Sequence, residues 1–158
     1  MARRPVAWVA AIVLLAEALG IGFVNWFLGL VVEGQDMSLA GLDPQAMSVG
    51  AWVAGGVFGI YLVLCAFVLA RAAATDRSPG TVGRILLISA AVVHGLLGAF
   101  CVGLVGWPAF AFMMVVLALV VFTLVAYDRR DQAGAVGNDN GAATPMPGPA
   151  SSPEPTTP

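Results

Sequence analysis

Residues 6–32 read VAWVAAIVLLAEALGIGFVNWFLGLVV, a run of 27 positions with one charged side chain, Glu17, and no base. A helix needs about 20 apolar residues to cross a hydrocarbon core about 30 Å thick, so this run spans a bilayer with length to spare. Three further runs meet the same requirement, at 49–70, 85–105 and 108–127. Only 16 of the 158 residues are charged and 59% are hydrophobic, against about one quarter charged in an ordinary soluble domain. The pattern predicts an all-α polytopic membrane protein, an antiparallel four-helix transmembrane bundle occupying residues 1–131. Segments between spans reach only about 16 residues, too short to build a soluble core. Any chemistry must therefore sit within the bundle.

All seven bases are Arg and none is Lys, which with the Ala, Gly and Val richness suggests a high-GC bacterial genome. They stand at Arg3 and Arg4, at Arg71, Arg77 and Arg84, and at Arg129 and Arg130, while the segments after the first and third spans have none. Loop arginines near span ends set orientation, so both termini are expected in the cytoplasm. The outer loop, 33–48, is acidic. Trp8 and Tyr127 fall at the expected inner interface and Trp52 and Trp107 at the outer one, where amphipathic rings anchor helices.

Arg3-Arg4, the apolar run and Ala16-Glu17-Ala18 together mimic a cleaved signal peptide. The run continues for 14 residues past Ala18, where a cleaved signal releases into polar sequence, so the first span is expected to stay. Asp43-Pro44 supplies an N-cap and a first-turn proline, placing the start of the second helix in the outer loop. Ser78-Pro79-Gly80 marks the inner turn, and Gly106-Trp107-Pro108 joins the last two spans tightly enough to make them antiparallel neighbours. From 132 to 158 the chain is rich in Gly, Ala, Ser, Thr and Pro and is expected to be a disordered cytoplasmic tail. Cys65 lies six residues before Arg71 and Cys101 lies 17 after Arg84, a depth difference of roughly 16 Å at the helical rise. That is too far for a disulfide, so both read as small packing residues.

Lipid gives helices no hydrophobic reason to associate, so they pack where small residues let backbones approach. Ala51, Gly55 and Gly59 on the second span, and Ala91, Gly95, Ala99 and Gly103 on the third, recur at a spacing of four. Four spans in one chain supply enough partners for these faces; a second copy or another membrane protein is the other occupant.

The ionisable groups in the apolar runs are Glu17 and His94. Glu17 lies 13 residues along the 29 from Arg4 to Glu33, and His94 lies 10 along the 23 from Arg84 to Trp107. Both helices run outward, so the two side chains share a depth and can meet. A charge at mid-bilayer costs about 2.5–3.5 kcal/mol on insertion scales, which the many Leu, Ile, Val and Phe of the first span offset. A neutral Glu17 is a donor in search of an acceptor, and neutral His94 supplies one. Asn25, eight residues after Glu17 and about 80° around the helix, extends a polar stripe. The structural reading of this trio is interhelical glue, worth on average about 0.6 kcal/mol per hydrogen bond. The functional reading is a proton-responsive site, since intramembrane acids and histidines mark relays and substrate paths. No second His shares the depth of His94 and the cysteines sit elsewhere, so no metal or haem site is expected. No phosphate loop or basic aromatic surface for nucleic acid is present, and no cofactor is expected.

Leu15-Ala16-Glu17-Ala18-Leu19-Gly20 resembles the first-helix segment of small multidrug resistance transporters, four-span proteins in which one embedded Glu exchanges protons for cationic drugs. That resemblance implies Glu17 as the proton and substrate site. The arginine asymmetry, long outer loop and tail depart from it. As a whole the chain looks like uncharacterised small four-helix integral membrane proteins of high-GC bacteria. The expected role is a non-enzymatic accessory or scaffold subunit of the cytoplasmic membrane. The alternative is a small proton-coupled transporter or sensor using Glu17, His94 and Asn25, and a membrane enzyme is third.

Overall fold

A computed structural model of the chain describes residues 3–35, 41 and 43–141, with side chains through Arg129. The described residues form four helices, α1 (Arg3–Gly34), α2 (Pro44–Thr75), α3 (Thr81–Leu104) and α4 (Trp107–Gly141). All four carry stretches long and apolar enough to cross a membrane, the shortest being Trp107–Arg129 with 23 residues, or about 35 Å at the helical rise. The protein is a four-helix membrane bundle.

Local chemistry sets the helix ends. Asp43 is extended and its carboxylate accepts from Gln45 N at 2.8 Å, with Pro44 opening α2. This satisfies one of the amides that a helix start leaves without a partner. At the other end of α2, Asp76 takes the left-handed conformation, φ 53°, which Asp tolerates better than most residues. Gly106, at φ 115°, makes the sharp reversal between α3 and α4 that residues with a Cβ resist. Helix α4 is described to Gly141, with side chains through Arg129, so it overlaps the beginning of the expected tail. Adding residues to an existing helix avoids the cost of nucleation. The rest of the expected tail, 142–158, lies outside the described residues.

Alanines supply much of the buried surface, and many large apolar side chains face outward. Ala7, Ala10, Ala11 and Ala18 join Leu14 on the inner face of α1, with Leu62, Leu69 and Leu87 also in the core, while Leu19, Phe23, Ile60, Phe67 and Phe100 are exposed. Lipid solvates the large side chains, and close backbone approach supplies the van der Waals contact that holds helices together. α1 packs most extensively on α2 and α3 on α4, α1 meets α4 less, and α2 touches α3 only lightly. Among the described residues, α1 and α3 have no Cα atoms within 8 Å of each other, nor do α2 and α4. These pairs are the diagonals of the bundle.

The small residues of the two ladders have different surroundings. Gly55 is buried against the Asn25 side chain, and Gly59 faces the Ala18 carbonyl. On α3 the buried face is Leu87, Ala90, His94 and Gly98. Ala91 and Gly95 are half-buried, whereas Ala99 and Gly103 are exposed. A spacing of four advances 400° per step, so a strict ladder drifts about 40° each time and winds off a straight contact face. Tyr127, placed at the inner interface by the sequence, is buried at 1% exposure.

Candidate functional site

Glu17 on α1 and His94 on α3 meet inside the bundle. Their side chains are 7% and 3% exposed, and His94 Nε2 lies 3.0 Å from Glu17 Oε2. The two helices are diagonal, so contact requires two long side chains, each reaching across the middle. Neighbours on the same helix faces, Leu14 and Ala18 beside Glu17 and Ala90 beside His94, belong to the main apolar core.

The hydrogen bonds fix the proton count. His94 Nδ1 lies 2.7 Å from the Ala90 carbonyl oxygen. A carbonyl only accepts, so Nδ1 carries a hydrogen and Nε2 is the atom that responds to Glu17. A neutral imidazole accepts from a carboxylic acid, or an imidazolium donates to a carboxylate. Either form holds one proton between Nε2 and Oε2 and has no net charge, the arrangement that a low-dielectric interior penalises least. Among the described residues, nothing hydrogen-bonds to Glu17 Oε1, which is buried.

Asn25 stands apart from this pair. Its Nδ2 donates to the Ile21 carbonyl at 2.9 Å on its own helix, and its Cβ packs against Gly55. The polar stripe drawn from Glu17 to Asn25 is therefore interrupted, because the amide turns back to its own backbone.

A second polar contact, invisible as a motif, bridges α2 and α3. Tyr61 Oη and Ser89 Oγ are 2.8 Å apart, and Ser89 Oγ also donates to Leu86 O. Cys65, one turn along α2 from Tyr61, is buried with its Sγ 3.9 Å from the same Leu86 carbonyl. These groups stitch the seam where the backbones touch least. Spacing gave no sign of them, since a lone Tyr and a lone Ser on different spans are ordinary lipid-helix residues. Cys65 and Cys101 are free thiols.

The arginine-bearing end is locked by charge and capping. Arg3 donates from Nε and Nη2 to the two carboxylate oxygens of Asp76, both at 3.0 Å. Arg4 donates to the Ala73 and Ala74 carbonyls at 3.0 and 3.3 Å. A cation at these last carbonyls of α2 also complements the negative end of the helix dipole. Tyr127 Oη donates to the Ala72 carbonyl at 3.1 Å, crossing the other diagonal, and the Arg3 guanidinium sits 5.9 Å from the Tyr127 ring centre. Arg84 pairs with Asp128 at 2.7 Å. Among the described residues, no three His, Cys, Asp or Glu side chains gather as a metal would need.

The chain matches no protein-family model, no curated protein and no solved structure. Its function is therefore argued from the residues and their geometry.

Proposed function

We propose that this protein is a non-enzymatic accessory or scaffold subunit of the cytoplasmic membrane, with both termini in the cytoplasm and the Glu17–His94 pair acting as the key that sets how its helices assemble. One observation carries the reading: the pair is hydrogen-bonded across a diagonal, with side chains only 7% and 3% exposed. A transporter or enzyme must bring its substrate to the reacting groups, whereas a key needs only to be sealed and satisfied. The gathering of Arg3, Arg4, Arg71, Arg77, Arg84 and Arg129 near the helix ends that share one side of the bundle supports the orientation through the bias of loop arginines toward the cytoplasm.

A second reading, a small proton-coupled transporter or sensor, is favoured by the proton count and by the unused Oε1 atom. Removing the shared proton leaves a carboxylate facing the Nε2 lone pair. A second proton can settle on Oε1, leaving Oε2 to accept from Nε2–H. Loss of the shared proton is therefore the event that opens the pair, and a proton-driven switch would use it.

Glu17→Gln separates the readings. The amide keeps the shape and can donate to Nε2 but does not titrate. The scaffold reading expects the variant to fold and to retain the same co-purifying partners in mild detergent as the parent chain. If the variant folds normally while a pH-dependent transport or ligand-binding activity of the parent disappears, the scaffold reading is wrong.

A further inference from the structure

At the arginine-bearing end, a cavity of about 460 Å³ opens between the end of α2 and the start of α3, lined by Phe67, Arg71, Thr75, Arg77, Ser78 and Val82. Among the described residues, no carboxylate pairs with its two arginines. Asp76 is the carboxylate nearest in sequence to Arg77, and both of its oxygens are turned to Arg3. Asp128 is held by Arg84. Among the described residues, neither Arg71 nor Arg77 has a side-chain hydrogen bond or ion pair. The start of α3 closes the same cavity with Gly80 as its N-cap and no side chain capping the first turn, so the positive end of a helix dipole and unsatisfied amides add to the two guanidinium groups.

Phe67 lines both this basic cavity and a second depression between α1 and α2. That groove, about 250 Å³, is lined by Trp8, Ile12, Leu15, Val63, Phe67 and Ala70. All six are apolar and lie on transmembrane helices. A cationic socket at the arginine-bearing end, sharing one aromatic side chain with an apolar trough between transmembrane helices, has the charge and polarity profile of a single amphiphile with an anionic head.

We infer that Arg71, Arg77 and the start of α3 bind the phosphate of an anionic phospholipid whose acyl chain lies along Phe67 and the α1–α2 groove. Two guanidinium groups suit a phosphodiester, since Arg presents a planar donor fork to phosphate oxygens. Basic pockets at the cytoplasmic ends of transmembrane helices recognise anionic head groups on the same grounds. A zwitterionic lipid brings its own ammonium into the socket and binds more weakly. The site does not depend on what Glu17 does.

The test is native mass spectrometry of the full chain released from detergent, with phosphatidylglycerol or phosphatidylcholine of matched acyl chains titrated in. The parent protein is expected to retain one phosphatidylglycerol at least tenfold more tightly than phosphatidylcholine. Arg71→Gln/Arg77→Gln removes that preference, Arg71→Lys/Arg77→Lys keeps most of it, and Arg129→Gln leaves it intact. Phe67→Ala weakens retention of both lipids. All four positions are exposed, and an unchanged helical circular dichroism spectrum and elution volume show that each variant is folded. Equal binding of the two lipids, or full preference in the folded double Gln variant, overturns the inference. So does displacement of phosphatidylglycerol by equimolar glycerol phosphate, because a free phosphate ester would then suffice without the acyl trough.

Discussion

His94 Nε2 and Glu17 Oε2 lie 3.0 Å apart, although they stand on diagonal helices with no Cα atoms within 8 Å. The contact is made entirely by side chains, so it can be altered without moving a backbone. His94→Leu leaves both Glu17 oxygens without a partner, and Glu17→Leu leaves Nε2 without one. Each single change is expected to destabilise the bundle by about 1–3 kcal/mol, the cost of orphaning a buried polar group. The double change to Leu is expected to cost less than the sum, with a coupling of about 0.6–1.7 kcal/mol. Reversible unfolding in mixed micelles measures the cycle, and additive effects would show that the hydrogen bond contributes nothing.

The same diagonal geometry limits crosslinking. In a background with Cys65 and Cys101 replaced by Ala, Glu17→Cys and His94→Cys are expected to resist direct oxidation, because a disulfide needs Cα atoms within about 7 Å. A longer bifunctional thiol reagent should join them. Efficient disulfide formation would mean that α1 and α3 are adjacent and the bundle is wound differently.

Glycine substitutions separate packed positions from open ones. A Cβ at Gly55 would strike the Asn25 Cβ, whereas one at Gly56 meets nothing within 4 Å. Gly55→Ala is expected to cost about 1–3 kcal/mol by overpacking, and Gly56→Ala to be neutral or slightly stabilising. On α3, Gly98 faces Met114 and Met113, while Gly103 faces open space. Gly98→Ala should be milder than Gly55→Ala, because the Met114 side chain can move aside. Thermal denaturation of the four variants ranks them, and a destabilised Gly103→Ala would reveal a partner on the exposed part of the α3 ladder.

Asp76 combines a left-handed backbone with a two-pronged bond to Arg3. Asp76→Ala loses the pair and leaves Ala in a conformation that costs about 1 kcal/mol or more. Asp76→Gly loses the pair but relieves the backbone. The Gly variant is therefore expected to melt above the Ala variant. The ion pair is about one-third exposed, so its own share should be under about 1 kcal/mol and should shrink in high salt. Equal melting temperatures would remove the backbone from the account.

The amino-acid sequence alone determined that four helices cross a membrane, because bilayer thickness converts directly into lengths of uncharged residues such as 6–32 and 108–127. It also determined the capped start of α2 at Asp43-Pro44, since the cap bond spans only two residues. Depth along a helix was readable too: a fixed rise per residue puts Glu17 and His94 at one level. Rotation around each axis was not. Whether two side chains at one level face each other depends on how four helices turn together. That packing left Asn25 bonded to its own helix, swung the α3 contact face from Ala99 to Gly98, and drew Tyr127 inward to Ala72. The Tyr61–Ser89 bridge and the pairing of Asp76 with Arg3 and of Asp128 with Arg84 were likewise settled only in three dimensions. Each depends on which groups from distant parts of the chain compete for the same partner.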